Sequence, residues 1–452
     1  MFNYGITCKP YFVSKLEPEC TSVIILDNKP RETGSLPYNV IPMIPTINNN
    51  LRHIISRAKR DIDKHNKSGA WDYVKTLTNP YELIFSGSKK FIGRDIKYIK
   101  NNICDYMPLS RSFFKMIELS NTFLKNRLLA NMYGIKSLHL AEGPGGFIEG
   151  LIHMRKKLVP KHIQQQDLYY GMTLIDNTNI PSVTQVPGNH VKDLTSTVPS
   201  WKKSKRFIQD NPGVIITTGY DGTGNLYHKC NIEYLWHRFG DKMDLVTADG
   251  GFDFSVDYNC QEYLAGRLIY AEIMGALVSL KIGGTFICKF FDIINTLSVD
   301  FLYLLQCKFK YIYIFKPKTS RHANSEKYVV CIDYLGSRRD ELKMLLEGLD
   351  KFQEIDTQNQ LFMTQQSNKF IVMAKLFKLV PPNFSKFIYS ISNQIINEQI
   401  KNINATTRLI NKYTHDALDC EIINGIITNQ RINAYQWCRD NNMRVTAGFN
   451  LG

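Results

Sequence analysis

The sequence lacks any pair of cysteines at the two-residue spacing that clamps zinc or forms a redox dithiol; its 10 cysteines fall singly along 452 residues. Neither a disulfide framework nor a structural metal is indicated. It also lacks an uninterrupted apolar run of about 18 residues and a charged-then-apolar start, so a soluble intracellular chain with no membrane partner is expected. There is no internal repeat and no long low-complexity linker. G-x-G-x-x-G and G-x-x-x-x-G-K-[ST] are both missing, which weighs against dinucleotide and NTPase readings. Acids are in short supply as well: 41 against 56 lysines and arginines, a net charge of +15. That excess suits a polyanionic partner held through counterion release, although a generally basic surface would give the same count. What is present is a large apolar fraction, 44%, enough for a substantial core in two or three domains.

Residues 1–70 mix a strand-like run, Ser22–Leu26, with proline-rich connectors and a basic helical stretch from Leu51 to Lys67, and read as an N-terminal extension. From 71 to 340 short β-rich apolar runs alternate with longer helical segments, the pattern of a parallel sheet covered on both faces. A doubly wound, Rossmann-like α/β domain follows. The expected strands are 138–141, 168–174, 214–218, 244–248, 285–290, 311–315 and 327–332. Between the fourth and fifth, Gln261–Lys281 carries Leu264, Leu268, Ile269, Ile273, Met274, Leu277 and Leu280 on one broad helical face. The connection between the last two strands is too short for a helical crossover, so they should pair antiparallel. Residues 341–452 read as a helical region, with amphipathic stretches at Arg338–Phe352 and Ser385–Ile410 and a break at Pro381-Pro382; no chemistry is legible there.

Four motifs carry chemistry. In Leu138-His139-Leu140-Ala141-Glu142-Gly143-Pro144-Gly145-Gly146-Phe147 an apolar strand enters a glycine-rich turn and then a helix, so backbone and helix N-terminus can approach a nucleotide-type cofactor closely. The same arrangement also closes βα units that bind nothing. Asp244–Gly251 places Asp249 at the carboxyl end of a strand, where open α/β sheets bind ligands, unless it merely caps the next helix. In Phe286-Ile287-Cys288-Lys289-Phe290-Phe291 a lysine interrupts a buried strand; burying an ammonium unpaired is expensive, so Lys289 needs a carboxylate, a catalytic reason, or a route to solvent. Lys316–Glu326 is a polar, basic connection ending in Glu326. Convergence of Asp249, Lys289 and Glu326 on one sheet edge outweighs any single motif.

Ala141–Phe147, Thr247–Gly251, Phe286–Lys289 and Lys316–Glu326 resemble the FtsJ/RrmJ-type ribose 2′-O-methyltransferases, and within them the cap-specific enzymes of the first transcribed nucleotide. The resemblance runs from Asn79 to Tyr334 and includes Asn79–Glu82, Arg111–Met116 and Gly171–Leu174. It implies a mostly parallel sheet with a terminal antiparallel strand, S-adenosyl-L-methionine as cofactor, and a Lys-Asp-Lys-Glu tetrad at Lys115, Asp249, Lys289 and Glu326. Lys115 on its own looks like a surface lysine. The resemblance further implies cofactor contacts at Ser110, Glu142, Gly143, Pro144, Gly145, Gly146, Phe147, Asn225, Leu226 and Asp249. Asn225 stands where the family more often has Asp. RNA contacts fall on Lys75, Asn259, Gln261, Arg321 and Asn324, with Lys316 and Lys318 able to meet phosphates. An aromatic platform for a cationic cap base would be drawn from Trp71, Tyr73 and Tyr81, which core packing explains equally well.

A ribose hydroxyl is a weak acid and a poor nucleophile, so Lys289 is expected to act as base or as hydroxyl-orienting group. Lys115 and the cofactor's sulfonium lower its pKa while Asp249 and Glu326 raise it, and the sequence leaves that balance open. Capped mRNA is the favoured substrate; rRNA or tRNA, and a non-catalytic cap- or RNA-binding subunit, are the alternatives. No guanylyltransferase or N7-methyltransferase is recognisable in the flanks, so other capping enzymes or the transcription machinery are expected partners. Such an enzyme would work in the nucleus or, if viral, in the host cytoplasm or virion. Richness in Ile, Asn and Lys fits an AT-rich genome, such as that of a large DNA virus.

Overall fold

The computed structural model describes residues 11–13, 31–32, 46–66, 69–86, 102–175, 199–251, 259, 261–364, 369–370, 372–373, 375–377, 379–415 and 420–447. The strands are β1 (Tyr11–Val13), β2 (Arg31–Glu32), β3 (Lys136–Leu140), β4 (Leu168–Met172), β5 (Val214–Ile216), β6 (Met243–Ala248), β7 (Leu280–Phe290), β8 (Phe309–Phe315), β9 (Lys327–Tyr334) and β10 (Lys369–Phe370). The helices are α1 (Asn49–Asn66), α2 (Ala70–Thr78), α3 (Ser112–Leu119), α4 (Gly146–Leu158), α5 (Lys161–Gln164), α6 (Lys205–Asp210), α7 (Lys229–Phe239), α8 (Gln261–Ser279), α9 (Thr296–Lys308), α10 (Arg339–Thr364), α11 (Pro382–His415) and α12 (Cys420–Asp440). No helix among the described residues is long and apolar enough to cross a membrane.

Eight strands form one sheet in the order β1-β8-β9-β7-β6-β3-β4-β5. The run β7-β6-β3-β4-β5 is parallel throughout, as its uninterrupted apolar strands require. β9, the last of these strands in sequence, is antiparallel to both neighbours and lies between β7 and β8. All seven expected strands are present, shifted by a few residues at their ends. The largest shift is at β7, which begins at Leu280 directly after α8; Gly283, at φ +80°, lets the chain turn from helix into sheet without strain. Leu264, assigned to the buried face of α8, is 50% exposed, whereas Leu268, Ile269, Ile273, Met274 and Leu277 are buried. β1 adds a short edge strand against β8 that the sequence did not announce, and the expected strand at Ser22–Leu26 lies outside the described residues.

Two apolar clusters cover the two faces of the sheet. One joins α7, α8 and α9 to α10 and to Phe384, Ile388 and Ile391 of α11. The other joins α3 and α4 to Trp437 of α12. A third cluster packs Leu51, Ile55 and Ile62 of α1 and Val74 of α2 against Ile396, Ile403 and Ile410 of α11. The helices of both flanking regions therefore meet beside the carboxyl edge of the parallel strands, which is where the motifs converge.

Candidate active site

The parallel strands β3, β4, β6 and β7 end on the same edge, and β9, running the other way, begins there. Register sets the rest: Lys289 of β7 lies opposite Tyr328 of β9, and Glu326 precedes β9 by one residue. Lys289 Nζ donates to the Asp249 carbonyl at 2.9 Å and lies 3.2 Å from Asp249 Oδ1. Lys115, on α3, reaches the same edge and pairs with Glu326 at 2.7 Å. The Ser320 hydroxyl donates to that same Glu326 oxygen at 2.9 Å. The four expected catalytic residues therefore form two adjoining ion pairs.

Burial alone would push the Lys289 ammonium down, but Asp249, Glu326 and Glu272 outweigh it and hold the group above its ordinary value. In the free protein the surrounding carboxylates thus favour the charged form of Lys289. Burial would raise the Glu326 carboxyl; Lys115 and Lys289 overcome that and bring it to about 2.

Three residues complete the constellation without having been expected. Tyr328 donates its hydroxyl to Asp249 Oδ1 at 2.7 Å, and Lys115 Nζ sits 5.9 Å from its ring centroid. Glu272 of α8 accepts the Gly250 N–H at 3.1 Å, and burial pushes its own carboxyl up to about 8 despite the nearby Lys289. A Cβ on Gly250 would come within 2.3 Å of the same Glu272 oxygen, so the turn after Asp249 has room only for glycine. Glu118, one turn along α3 from Lys115, accepts Lys318 N, Thr319 N, the Thr319 hydroxyl and Trp437 Nε1 at 2.7–3.0 Å. It ties the 316–326 connection to α3 and α12, and with it Glu326. An acid among apolar neighbours, Glu118 in α3 and Glu272 in the middle of α8, was the signal for both glutamates.

The cofactor loop follows β3. Glu142 turns into the sheet, where Thr247 donates to it and His139 Nδ1 lies 3.3 Å away, so its side chain braces the loop from below. Gly145 has φ +96°, and a Cβ there would lie 3.1 Å from Trp201. Gly146 has the hydroxyls of Ser112 and Ser110 where a Cβ would be, at 2.1 and 2.3 Å. The Pro144 carbonyl accepts from Ser204, and Phe147 is buried against Tyr328, with ring centroids 5.7 Å apart. On the next two strand ends, Leu174 and Tyr220 are more than half exposed at 56% and 55%. Their loops touch: Ile175 N donates to Thr223 O at 2.8 Å. Asn225 caps its own turn, accepting from Tyr227 N at 3.0 Å, and Leu226 is in the core. A glycine turn opening a helix, paired serine hydroxyls and an exposed apolar shelf beside an amide side chain fit a nucleoside-bearing cofactor such as S-adenosyl-L-methionine. The residues present therefore suit the group that the resemblance implies.

The expected RNA residues are spread around a cleft between α1, α2, α11 and the 321–325 turn. Lys75, Gln261, Arg321 and Asn324 all line it. Asn259 lies instead in a smaller neighbouring depression, with Glu262 and Asp292. Arg321 is not an idle phosphate ligand: it pairs with buried Glu82 at 3.1 Å, as Arg111 does at 3.4 Å. Lys75 pairs with Asp72, and Gln261 accepts from Ser325 at 2.6 Å. Lys316 is spent on Asn324 and the Glu326 carbonyl, at 2.7–2.9 Å, holding the connection in shape. Of the aromatics, Trp71 lines the cleft and Tyr81 meets His322 edge-on at 5.9 Å, while nothing is described of the Tyr73 side chain.

A cap-specific mRNA (nucleoside-2′-O-)-methyltransferase 2 from Drosophila melanogaster is 34% identical over 47% of this chain and 29% of its own length. A cap-specific mRNA (nucleoside-2′-O-)-methyltransferase 1 from Mus musculus is 42% identical over 57% of this chain and 27% of its own, and one from Trypanosoma cruzi is 41% identical over 43% and 47%. The chain thus spans between about a quarter and a half of the length of these curated relatives. The profile of the FtsJ-like methyltransferases matches residues 108–334, half of the chain and the whole of the sheet from β3 to β9, and the chain belongs to that family.

Proposed function

We propose that this chain transfers a methyl group from S-adenosyl-L-methionine to the ribose 2′-hydroxyl of the first transcribed nucleotide of capped mRNA. The observation that carries this reading is the double ion pair, Lys289 with Asp249 and Lys115 with Glu326, beside a glycine-rich cofactor loop and a polar cleft. The curated relatives named for cap-specific 2′-O transfer support it. In this reading residues 71–340 form the transfer domain, with the flanking helices closing its substrate side. Partner enzymes of the capping pathway would supply guanylyl transfer and N7 methylation.

The cofactor supplies an electrophilic methyl on a sulfonium; the chain's part is to position a nucleophile and dispose of a proton. An ammonium has three N–H donors, and Asp249 takes two from Lys289. The third is assigned to the incoming 2′-oxygen, which it holds in line with the methyl. Because the carboxylates keep Lys289 charged in the free protein, it acts first as an orienting donor and not as a ready base. The hydroxyl proton passes to solvent water in the open cleft once the oxygen carries the methyl and has become far more acidic. Lys115 and Glu326 fix the electrostatic balance around Lys289, and Tyr328 fixes Asp249.

The test is transfer of labelled methyl to short RNAs that are identical except for an N7-methylated cap. The proposal expects label in the capped RNA alone. Equal labelling of uncapped RNA would replace it with an rRNA- or tRNA-type activity, and cap binding without transfer would indicate a non-catalytic subunit.

A further inference from the structure

The cleft beside the ion pairs holds polar atoms that the fold leaves unused. His322 is 4% exposed, and among the described residues neither of its ring nitrogens has a hydrogen-bond partner. Gln399, on α11, is 3% exposed; its Nε2 donates to the Ala323 carbonyl at 3.3 Å, but its Oε1 has no partner. Both residues line the cleft, with Trp71 as an apolar wall. A buried polar atom without a partner costs about 1–3 kcal/mol, so unpartnered donors and acceptors on two residues lining one cleft mark a place where a polar ligand would be stabilised. Burial lowers His322 to about 3, with Lys316 adding to the shift, so the ring is neutral and offers one donor and one acceptor.

Gln399 belongs to a helix that lies outside the residues matched by the family profile and 73 positions beyond Glu326 in the chain. Its place is nonetheless well fixed. Ile396 and Ile403, one turn to either side, are buried against α1 and α2, and the Thr78 and Thr406 hydroxyls meet at 2.7 Å. A helix held this firmly can present a side chain with the precision that recognition needs.

We propose that Gln399 and His322 read the polar edge of the guanine of a capped RNA, which makes the C-terminal helix α11 part of the substrate site. Guanine offers adjacent N1–H and N2–H donors and an O6 acceptor. Gln399 Oε1 accepts from the N2 amine, the His322 N–H donates to O6, and Trp71 bounds the base on its apolar side. The assignment rests on the capped-RNA reading given above. It differs from that reading in naming residues that transfer chemistry does not require.

The test crosses a substrate change with a side-chain change. Binding of an N7-methylated guanosine cap dinucleotide and its inosine counterpart, which lacks the N2 amine, is measured by titration for wild type, Gln399→Leu and Gln399→Glu. Wild type is expected to bind the guanosine form about 10-fold more tightly than the inosine form, as the loss of one buried hydrogen bond implies. Gln399→Leu should bind both equally, and Gln399→Glu, which keeps the acceptor, should retain the preference. Unchanged melting temperature and cofactor affinity in Gln399→Leu separate loss of reading from loss of fold, and His322→Phe should weaken both ligands. Equal guanosine preference in wild type and Gln399→Leu, or no preference in wild type, overturns the proposal. Methyl transfer by wild type to capped RNA is scored in parallel, so failure of the base reading is distinguishable from failure of the activity.

Discussion

Lys289 lies between two carboxyl groups that behave in opposite ways. On the β9 side Glu326 meets Lys115 directly and is held near 2. On the α8 side Glu272 is more deeply buried, at 1% exposure, its hydrogen-bond partners are a backbone N–H and a thiol, and it is pushed up to about 8. Burial raises both carboxyls, and only Glu326 has ammonium partners that reverse it. One side is an electrostatic clamp. The other is a neutral prop under the Asp249–Gly251 turn. The charge of this site is concentrated toward the cleft, at Lys115 and Glu326, and kept off the floor, at Glu272.

The comparison can be broken at several points, beginning with its centre. Lys289→Ala should lower methyl transfer by about 10³-fold while cofactor affinity in a direct titration changes little. On the clamp side, Glu326→Ala should cost about 3 kcal/mol of stability by leaving Lys115 buried and unpaired; adding Lys115→Met should restore part of that, seen as a coupling energy in denaturant melts. Tyr328→Phe keeps the packing and removes one hydrogen bond to a charged group, so kcat should fall by about 10-fold with KM for cofactor unchanged.

The smallest effect sharpens the contrast through pH. Glu326 has its folded pKa below its ordinary 4.5, so the stability it contributes is fully present above about 4.5 and is lost as pH falls toward 2. Glu272 has its folded pKa above 4.5, so its contribution is present below about 4.5 and is lost as pH rises toward 8. Glu272→Gln should therefore remove a decline in melting temperature of roughly 2–4 °C between pH 6 and 8.5. An equal decline in the variant would show that Glu272 is not the neutral prop described here.

Much of this site was legible in the sequence because parallel strands buried on both faces write themselves as continuous apolar runs, and a lysine inside such a run stands out. Lys289 and Asp249 were readable in that way. Lys115 was not, since a lysine on an amphipathic helix is usually solvated; only the family resemblance pointed to it. Tyr328 was hidden because an aromatic residue in an inner strand is expected to be core, and its ring is core; only the hydroxyl reaches Asp249. Glu118 and Glu272 were visible as lone acids among apolar neighbours, but their partners lie far away in the chain: Glu118 reaches across to Trp437. The same distance hid α11, whose buried glutamine faces a turn that no local pattern connects to it. Arg321 lines the cleft as its expected role requires, and its ion pair with Glu82 could not be read from the sequence.

The most direct test of the account is the position of the transferred methyl group, found by digesting methylated capped RNA and analysing the cap-proximal fragments by mass spectrometry. Relatives named as cap methyltransferases 1 and 2 both match this chain, so the digest must resolve the first nucleotide from the second. The account predicts the methyl on the ribose 2′-oxygen of the first transcribed nucleotide, and none with Lys289→Ala. A methyl on a base nitrogen, or transfer undiminished in that variant, would contradict it.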